Sequence, residues 1–101
     1  MTDYEEIENI KKQIINRFQP DKIILFGSQA NETARLGSDI DLCIIINISD
    51  KRVLLTELYS EIDSRKPFDI VVYTPEEWDK AKNDPGAFAH LINQKGVALY
   101  G

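Results

Sequence analysis

The 101-residue sequence is poor in the features that mark secreted and membrane proteins. It has one cysteine, Cys43, so no disulfide can form within the chain. Its longest unbroken apolar run, residues 42–46, is far shorter than the roughly 20 residues that span a bilayer. The N-terminal segment is acidic and polar, whereas a secretory signal starts with basic residues followed by an apolar stretch. These absences predict a cytoplasmic protein that does not associate with membranes.

Basic residues are also in deficit: 12 Lys and Arg stand against 17 Asp and Glu, for a formal net charge of -5. A protein that holds nucleic acid by neutralising its phosphates needs a surplus of cations on one face. We therefore expect no direct nucleic-acid binding. The apolar fraction of 43% is too high for a disordered chain, and the length predicts a single domain over residues 1–101.

The spacing of apolar residues predicts helices that alternate with short strands, as in an α/β (α+β) domain built on a small sheet. The predicted helices cover residues 3–18 and 50–64, with two more beginning at residues 75 and 84, and the predicted strands cover residues 22–26, 39–46, 68–73 and 97–100. This plan leaves no room for a second, substrate-binding domain.

Three aspartates lie at the beginnings of predicted strands. Asp39 and Asp41 are two residues apart, so their side chains project from the same face of the second strand. Asp69 occupies a corresponding place on the third strand and joins the pair if the two strands are neighbours. Adjacent carboxylates repel one another unless a cation lies between them, and hard oxygen ligands suit Mg²⁺ or Mn²⁺. The acids therefore predict a divalent-metal site.

Gly27 and Ser28 directly follow the first predicted strand, which is short and apolar. A glycine at this point permits close approach of the backbone, and the serine offers a hydroxyl group and an N–H group to an anion. Phosphates held beside a carboxylate-bound metal are the arrangement that phosphoryl or nucleotidyl transfer needs.

Other interpretations of Asp39 and Asp41 fit the sequence less well. A calcium-binding EF-hand loop needs an oxygen ligand at position 43 and glycine at position 44, where this chain has cysteine and isoleucine. A phosphatase with an aspartate nucleophile carries its acids after an apolar strand, whereas here the apolar run follows them. The two acids can also simply mark the solvent-exposed start of a strand. The presence of Gly27 and Ser28 before them and of Asp69 after them makes that interpretation much weaker.

The motif formed by Gly27, Ser28, ten intervening residues, Asp39 and Asp41 resembles the signature of the minimal nucleotidyltransferases, small members of the DNA polymerase β-like superfamily. The resemblance implies the palm fold of that superfamily, a small mixed sheet flanked by helices. It implies that Asp39, Asp41 and Asp69 are catalytic and bind two Mg²⁺ ions, with Asp69 helping to activate the acceptor. It also implies that Gly27 and Ser28 hold a nucleoside triphosphate, with ATP expected.

Relatives of this size are commonly paired with a helical HEPN-type ribonuclease toxin. The resemblance implies that this chain is the antitoxin, forms a hetero-oligomer with the toxin, and transfers AMP from ATP to a tyrosine of it. The alternative is a non-catalytic binding module that neutralises its partner by forming a complex. Transfer to a small molecule would require an oligomer to form the acceptor pocket.

The chain departs from many relatives directly after the glycine-serine pair, where they read GSRARG. Here Gln29 and Asn31 take the places of the two arginines. Arginine is the better phosphate clamp, so these positions predict weaker contacts with the triphosphate. Of the remaining reactive residues, His90 has no His or Cys partner and is predicted to be a polar surface residue, and Cys43 is predicted to be a small core residue.

Overall fold

A computed structural model describes residues 3–31 and 39–101. Within these ranges the elements follow the predicted order closely. They are helix α1 (Tyr4–Phe18), strand β1 (Lys22–Phe26), helix α2 (Gly27–Ala30), strand β2 (Ile40–Ile45), helix α3 (Lys51–Glu61), strand β3 (Phe68–Tyr73), helix α4 (Pro75–Ala81), helix α5 (Phe88–Lys95) and strand β4 (Val97–Tyr100).

The strands form a mixed sheet in the order β3-β2-β1-β4. β1 pairs antiparallel with both β2 and β4, whereas β2 and β3 are parallel. Two neighbouring parallel strands need a crossover connection, and α3 provides it. The predicted small mixed sheet flanked by helices is confirmed.

Helices cover both faces of the sheet, and this explains why β2 is apolar along almost its whole length. On one face the sheet packs against α1 and α3 through side chains that include Ile10, Ile14, Leu42, Ile44 and Leu58. On the other face a smaller cluster joins the sheet to α4 and α5 through Ile24, Cys43, Ile45, Trp78, Ala89 and Ile92. A strand buried on both faces reads as a continuous apolar run.

Local sequence signals locate the start of α4 but not that of α5. The Thr74 side chain accepts a hydrogen bond from the backbone N–H of Glu77, and the Glu77 side chain accepts one from the backbone N–H of Thr74, which together make a capping box. The prediction that the last helix begins at Asp84 is wrong, because the Asp84 carboxylate accepts from the N–H of Gly86 and stabilises a turn. The helix starts only at Phe88.

No helix in the described parts of the chain is both long and apolar enough to cross a membrane.

Leu58 and Val53 lie on the same helix and differ in burial, so they test the packing of α3 on the sheet. Leu58 is fully buried, whereas Val53 is 51% exposed. We expect Leu58→Ala to lower the free energy of unfolding by about 2–5 kcal/mol, since it opens a cavity in the core. Val53→Ala should change it by less than about 0.5 kcal/mol. Urea unfolding of both variants measures the difference, and similar values for the two would contradict this packing.

Candidate active site

The parallel pairing of β2 and β3 brings two of the three predicted acids together. Asp41 and Asp69 are direct partners in the register of the two strands. Phe26, the last residue of β1, is the partner of Asp41 on its other side. Residues opposite one another in a sheet project to the same face, so these three side chains form one row across the sheet. The row lies on the face covered by α4 and α5, because Asp41 shares its face with Cys43.

Asp39 lies directly before β2 and is exposed, as is Asp69, whereas Asp41 is half-buried. Burial raises the pKa of the Asp41 carboxyl group, and the negative charges of Asp69 and Asp39 raise it further. The carboxylates of Asp69 and Asp39 are therefore both within electrostatic reach of Asp41. A cation bound here would relieve the repulsion.

Gly27 begins α2 and lies against the Asp41 carboxylate. Its φ of +74° is in the region that favours glycine. A β-carbon added at Gly27 would collide with Oδ2 of Asp41 and would lie 3.3 Å from Cγ of the same side chain. Glycine is thus favoured by the positive φ of the turn after β1, and its lack of a β-carbon leaves room for the Asp41 carboxylate. Ser28 follows as the second residue of α2 and is half-buried.

Gln29 does not face the acids as a phosphate-binding arginine would. Its side chain is 1% exposed, and its Oε1 accepts a hydrogen bond of 2.9 Å from the backbone N–H of Asp3. Gln29 therefore ties α2 to the beginning of α1. The second substituted position, Asn31, directly follows the last residue of α2 and is exposed.

A second buried polar side chain, Glu6, ties the same end of α1 to the loop before β3. Glu6 is 2% exposed, and its Oε1 accepts a hydrogen bond of 3.0 Å from the backbone N–H of Arg65. Asp3 and Lys66 add an ion pair of 3.1 Å between the same two segments. The N-terminal end of α1 thus contacts both the segment that carries Gly27 and the loop that leads to Asp69. Sequence reasoning did not identify Glu6 and Gln29 as positioning residues, because buried polar partners far apart in the chain carry no local signal.

The donor chemistry of the site fits a hard divalent cation. Mg²⁺ commonly takes one or two carboxylates and completes its coordination with waters and substrate phosphates. Among residues 3–31 and 39–101, no three His, Cys, Asp or Glu side chains form a group that could hold a metal ion. The pairing of Asp41 with Asp69, with Asp39 nearby, suits an open site that waters and a substrate would complete. That all three acids bind the metal remains a prediction.

Cys43 and His90 both have structural roles, which the sequence predicted for Cys43 alone. Cys43 is fully buried in the sheet, and burial raises the pKa of its thiol to about 12, which leaves no reactive thiolate at neutral pH. His90 is half-buried, and its Nδ1 donates a hydrogen bond of 2.8 Å to the carbonyl oxygen of Lys82. It thereby joins α5 to the end of α4. The predicted surface role of His90 was thus only partly right.

Comparison of the sequence with known protein families identifies the family to which this arrangement of residues belongs. The family model described as polymerase beta, nucleotidyltransferase matches residues 8–101. The chain belongs to the polymerase β nucleotidyltransferase family. The match begins within α1, covers every later element through β4, and includes all the predicted site residues. No curated protein sequence matches the chain significantly. The family identifies the general chemistry as nucleotidyl transfer from a nucleoside triphosphate, generally with a divalent metal.

Burial of the Asp41 carboxyl group, together with repulsion from Asp69 and Asp39, predicts a pH-dependent gain in stability for Asp41→Asn. Below the ordinary carboxyl pKa of about 3.9, Asp41 is protonated in both the folded and the unfolded chain and its charge has no effect. Because the folded-state pKa is raised, stability falls as the pH rises above the unfolded-state value, and the loss is complete once the pH exceeds the raised folded-state value. In metal-free buffer, Asp41→Asn should therefore have the higher Tm at pH 7, and the advantage should shrink as the pH falls.

Asp21→Asn is the matched control, because it removes one charge from an exposed aspartate just before β1, at the opposite end of the sheet. Its Tm should stay within about 2 °C of the wild type, as expected for a surface substitution. An equal rise for both variants would show that overall net charge, rather than the acid cluster, is responsible.

Gly27→Ala should damage both the turn and the site. The positive φ alone costs about 1–2 kcal/mol for a residue with a β-carbon, and the collision with Asp41 adds to that cost. Gly86→Ala is the control, since a β-carbon there would have ordinary contact, 3.6 Å from Oδ1 of Asp84. Thermal unfolding measures both. A Gly27→Ala variant as stable as Gly86→Ala would contradict the described contact.

Proposed function

We propose that this protein is a Mg²⁺-dependent adenylyltransferase that transfers AMP from ATP to a tyrosine of a partner protein. The single observation that carries the proposal is the register of β2 and β3, which pairs Asp41 with Asp69 in a chain of the polymerase β nucleotidyltransferase family. The partner we expect is a helical HEPN-type ribonuclease toxin in the same cytoplasm, with this chain as its antitoxin in a hetero-oligomer.

The predicted residues have distinct roles in the proposed reaction. Asp39, Asp41 and Asp69 would hold two Mg²⁺ ions, which when bound supply positive charge to the triphosphate and to the pyrophosphate leaving group. Gly27 and Ser28 would position the phosphates beside the acids. Asp69 is exposed, as a base that must meet an external acceptor has to be.

The transfer is a single in-line displacement. The tyrosine hydroxyl oxygen of the partner forms a bond to the α-phosphorus of ATP as the bond from that phosphorus to the bridging oxygen of the β-phosphate breaks. The hydroxyl proton passes to the carboxylate of Asp69, and pyrophosphate departs. The product is a tyrosine that carries AMP through a phosphodiester bond.

The charge of the site supports a cation-assisted reaction. The chain has an acidic balance and a raised pKa at Asp41, so a bare triphosphate would be repelled. Two bound Mg²⁺ would reverse the local sign and make the same acids attractive to ATP. An exposed partner tyrosine would then approach from the solvent side, next to Asp69 and Asp39.

Intact-mass measurement of the partner after incubation with this protein, ATP and Mg²⁺ tests the proposal. We expect the partner to gain the mass of one or more AMP groups, with loss of the reaction in excess EDTA. Asp69→Asn should slow the transfer by about 10²- to 10⁴-fold, the usual contribution of a positioned base. The double variant Asp39→Ala with Asp41→Ala should abolish it, whereas Asp21→Asn should leave it unchanged.

The competing function is neutralisation of the partner by complex formation alone. It is favoured by Gln29 and Asn31, which stand where many relatives carry phosphate-binding arginines. Partner ribonuclease activity separates the two functions. An unmodified partner that is nevertheless inhibited, also by the double aspartate variant, would establish the binding module and exclude the transferase. Inhibition that requires ATP, Mg²⁺ and intact aspartates would exclude the binding module.

A further inference from the structure

An apolar cavity of about 250 Å³ opens beside the acid row, between the end of β1, the helix α2 and the helix α5. Neither the family match nor the proposed transfer assigns it a role. The side chains and backbone that line it include Phe26, Gly27, Phe88, Leu91, Ile92 and Lys95.

The cavity and the candidate active site share two residues. Gly27 lines the cavity and also contacts the Asp41 carboxylate. Phe26 lines the cavity and is the strand partner of Asp41. A molecule whose phosphates lie at Gly27 and the acids can therefore place an attached group in the cavity without leaving the surface of the protein.

The lining suits a flat, largely apolar group with polar edges. The rings of Phe26 and Phe88 meet edge to face, with centroids 5.5 Å apart. Apolar surface dominates the wall, and polar groups are supplied by Lys95 and Asn31. Aromatic and apolar walls with a few polar groups are typical of small-molecule sites, and aromatic side chains are the usual partners of nucleobases.

The cavity is large enough for only one part of a nucleotide. Its volume is below the roughly 300–1,000 Å³ of clefts that enclose a drug-sized ligand. It can hold one ring system but not a whole nucleoside triphosphate. Phe88 and Leu91 are also 50% and 48% exposed, so large apolar side chains at this opening face water until something covers them.

A second cavity differs from this one in both chemistry and position. That cavity, of about 340 Å³, is lined by Glu5, Glu6, Asn9, Asp63 and Arg65, so it is acidic and polar. It shares no residue with the acid row. Of the two, only the cavity at Phe88 combines an apolar wall with a direct connection to Gly27.

Because the apolar cavity shares Phe26 and Gly27 with the candidate active site, we infer that the cavity is the subsite for the nucleobase of the nucleoside triphosphate. The inference rests on the proposed function, since it requires the triphosphate to lie at Gly27 and the aspartates. Phe88 and Leu91 contact the base, and they contribute to nucleotide affinity without contacting the phosphates.

Isothermal titration with two ligands separates the base from the phosphates: ATP and inorganic tripolyphosphate, each with Mg²⁺. The wild type should bind ATP more tightly than tripolyphosphate. Phe88→Ala should weaken ATP binding by roughly fivefold to a hundredfold, the range seen when a base-stacking aromatic residue is removed, and leave tripolyphosphate binding unchanged. Phe88→Tyr, which keeps the ring, should retain ATP binding within about twofold of the wild type.

Val53→Ala is the matched control, because Val53 is 51% exposed on α3 and lies outside the cavity lining. It should bind both ligands as the wild type does. A wild type that binds the two ligands equally, or a Phe88→Ala variant that keeps full ATP affinity, overturns the base subsite alone. So does a Phe88→Ala variant that loses affinity only for the protein partner. A wild type that binds neither ligand overturns both this inference and the proposed function.

Discussion

The parallel pairing of β2 with β3 is the constraint on which the site depends. Among the strands of residues 3–31 and 39–101 the other two pairs are antiparallel, and only this one places two strand beginnings side by side. Because each of these strands carries an aspartate near its start, the pairing sets Asp41 next to Asp69. Repulsion between the carboxylates follows directly from that register, and a slip of one residue would turn one of them to the opposite face of the sheet.

The rest of the fold holds this unfavourable arrangement in place. β2 is buried on both faces, so the apolar clusters on either side of the sheet stabilise the strand that carries Asp41. At the acid end of the sheet, the first turn of α1 contacts the loop before β3 through Glu6 and contacts α2 through Gln29. Packing energy from the core thereby offsets the local cost of clustered negative charge, as is common at functional sites.

Local patterns in the sequence were sufficient for most of the fold. Ile7, Ile10 and Ile14 mark the buried side of α1, and Thr74 with Glu77 marks the start of α4, because each signal involves neighbours on one element. The start of α5 was misplaced because Asp84 can cap either a helix or a turn, and the choice depends on how the following residues pack. The aspartates and Gly27 were identified for a similar local reason. Their positions relative to the predicted strands and their spacing in the sequence form the motif.

The sequence by itself determined the element order, the family signature and the chemical character of the site, since these depend on residue type and short spacing. The tertiary structure alone decided the direction of β3 beside β2, and with it the contact between Asp41 and its neighbours. It also turned Gln29 inward to Asp3, and it joined Phe26 to Phe88 around a cavity. These contacts link residues 26 to 62 positions apart, and such pairs are chosen by packing, for which a short stretch of sequence carries no periodic signal.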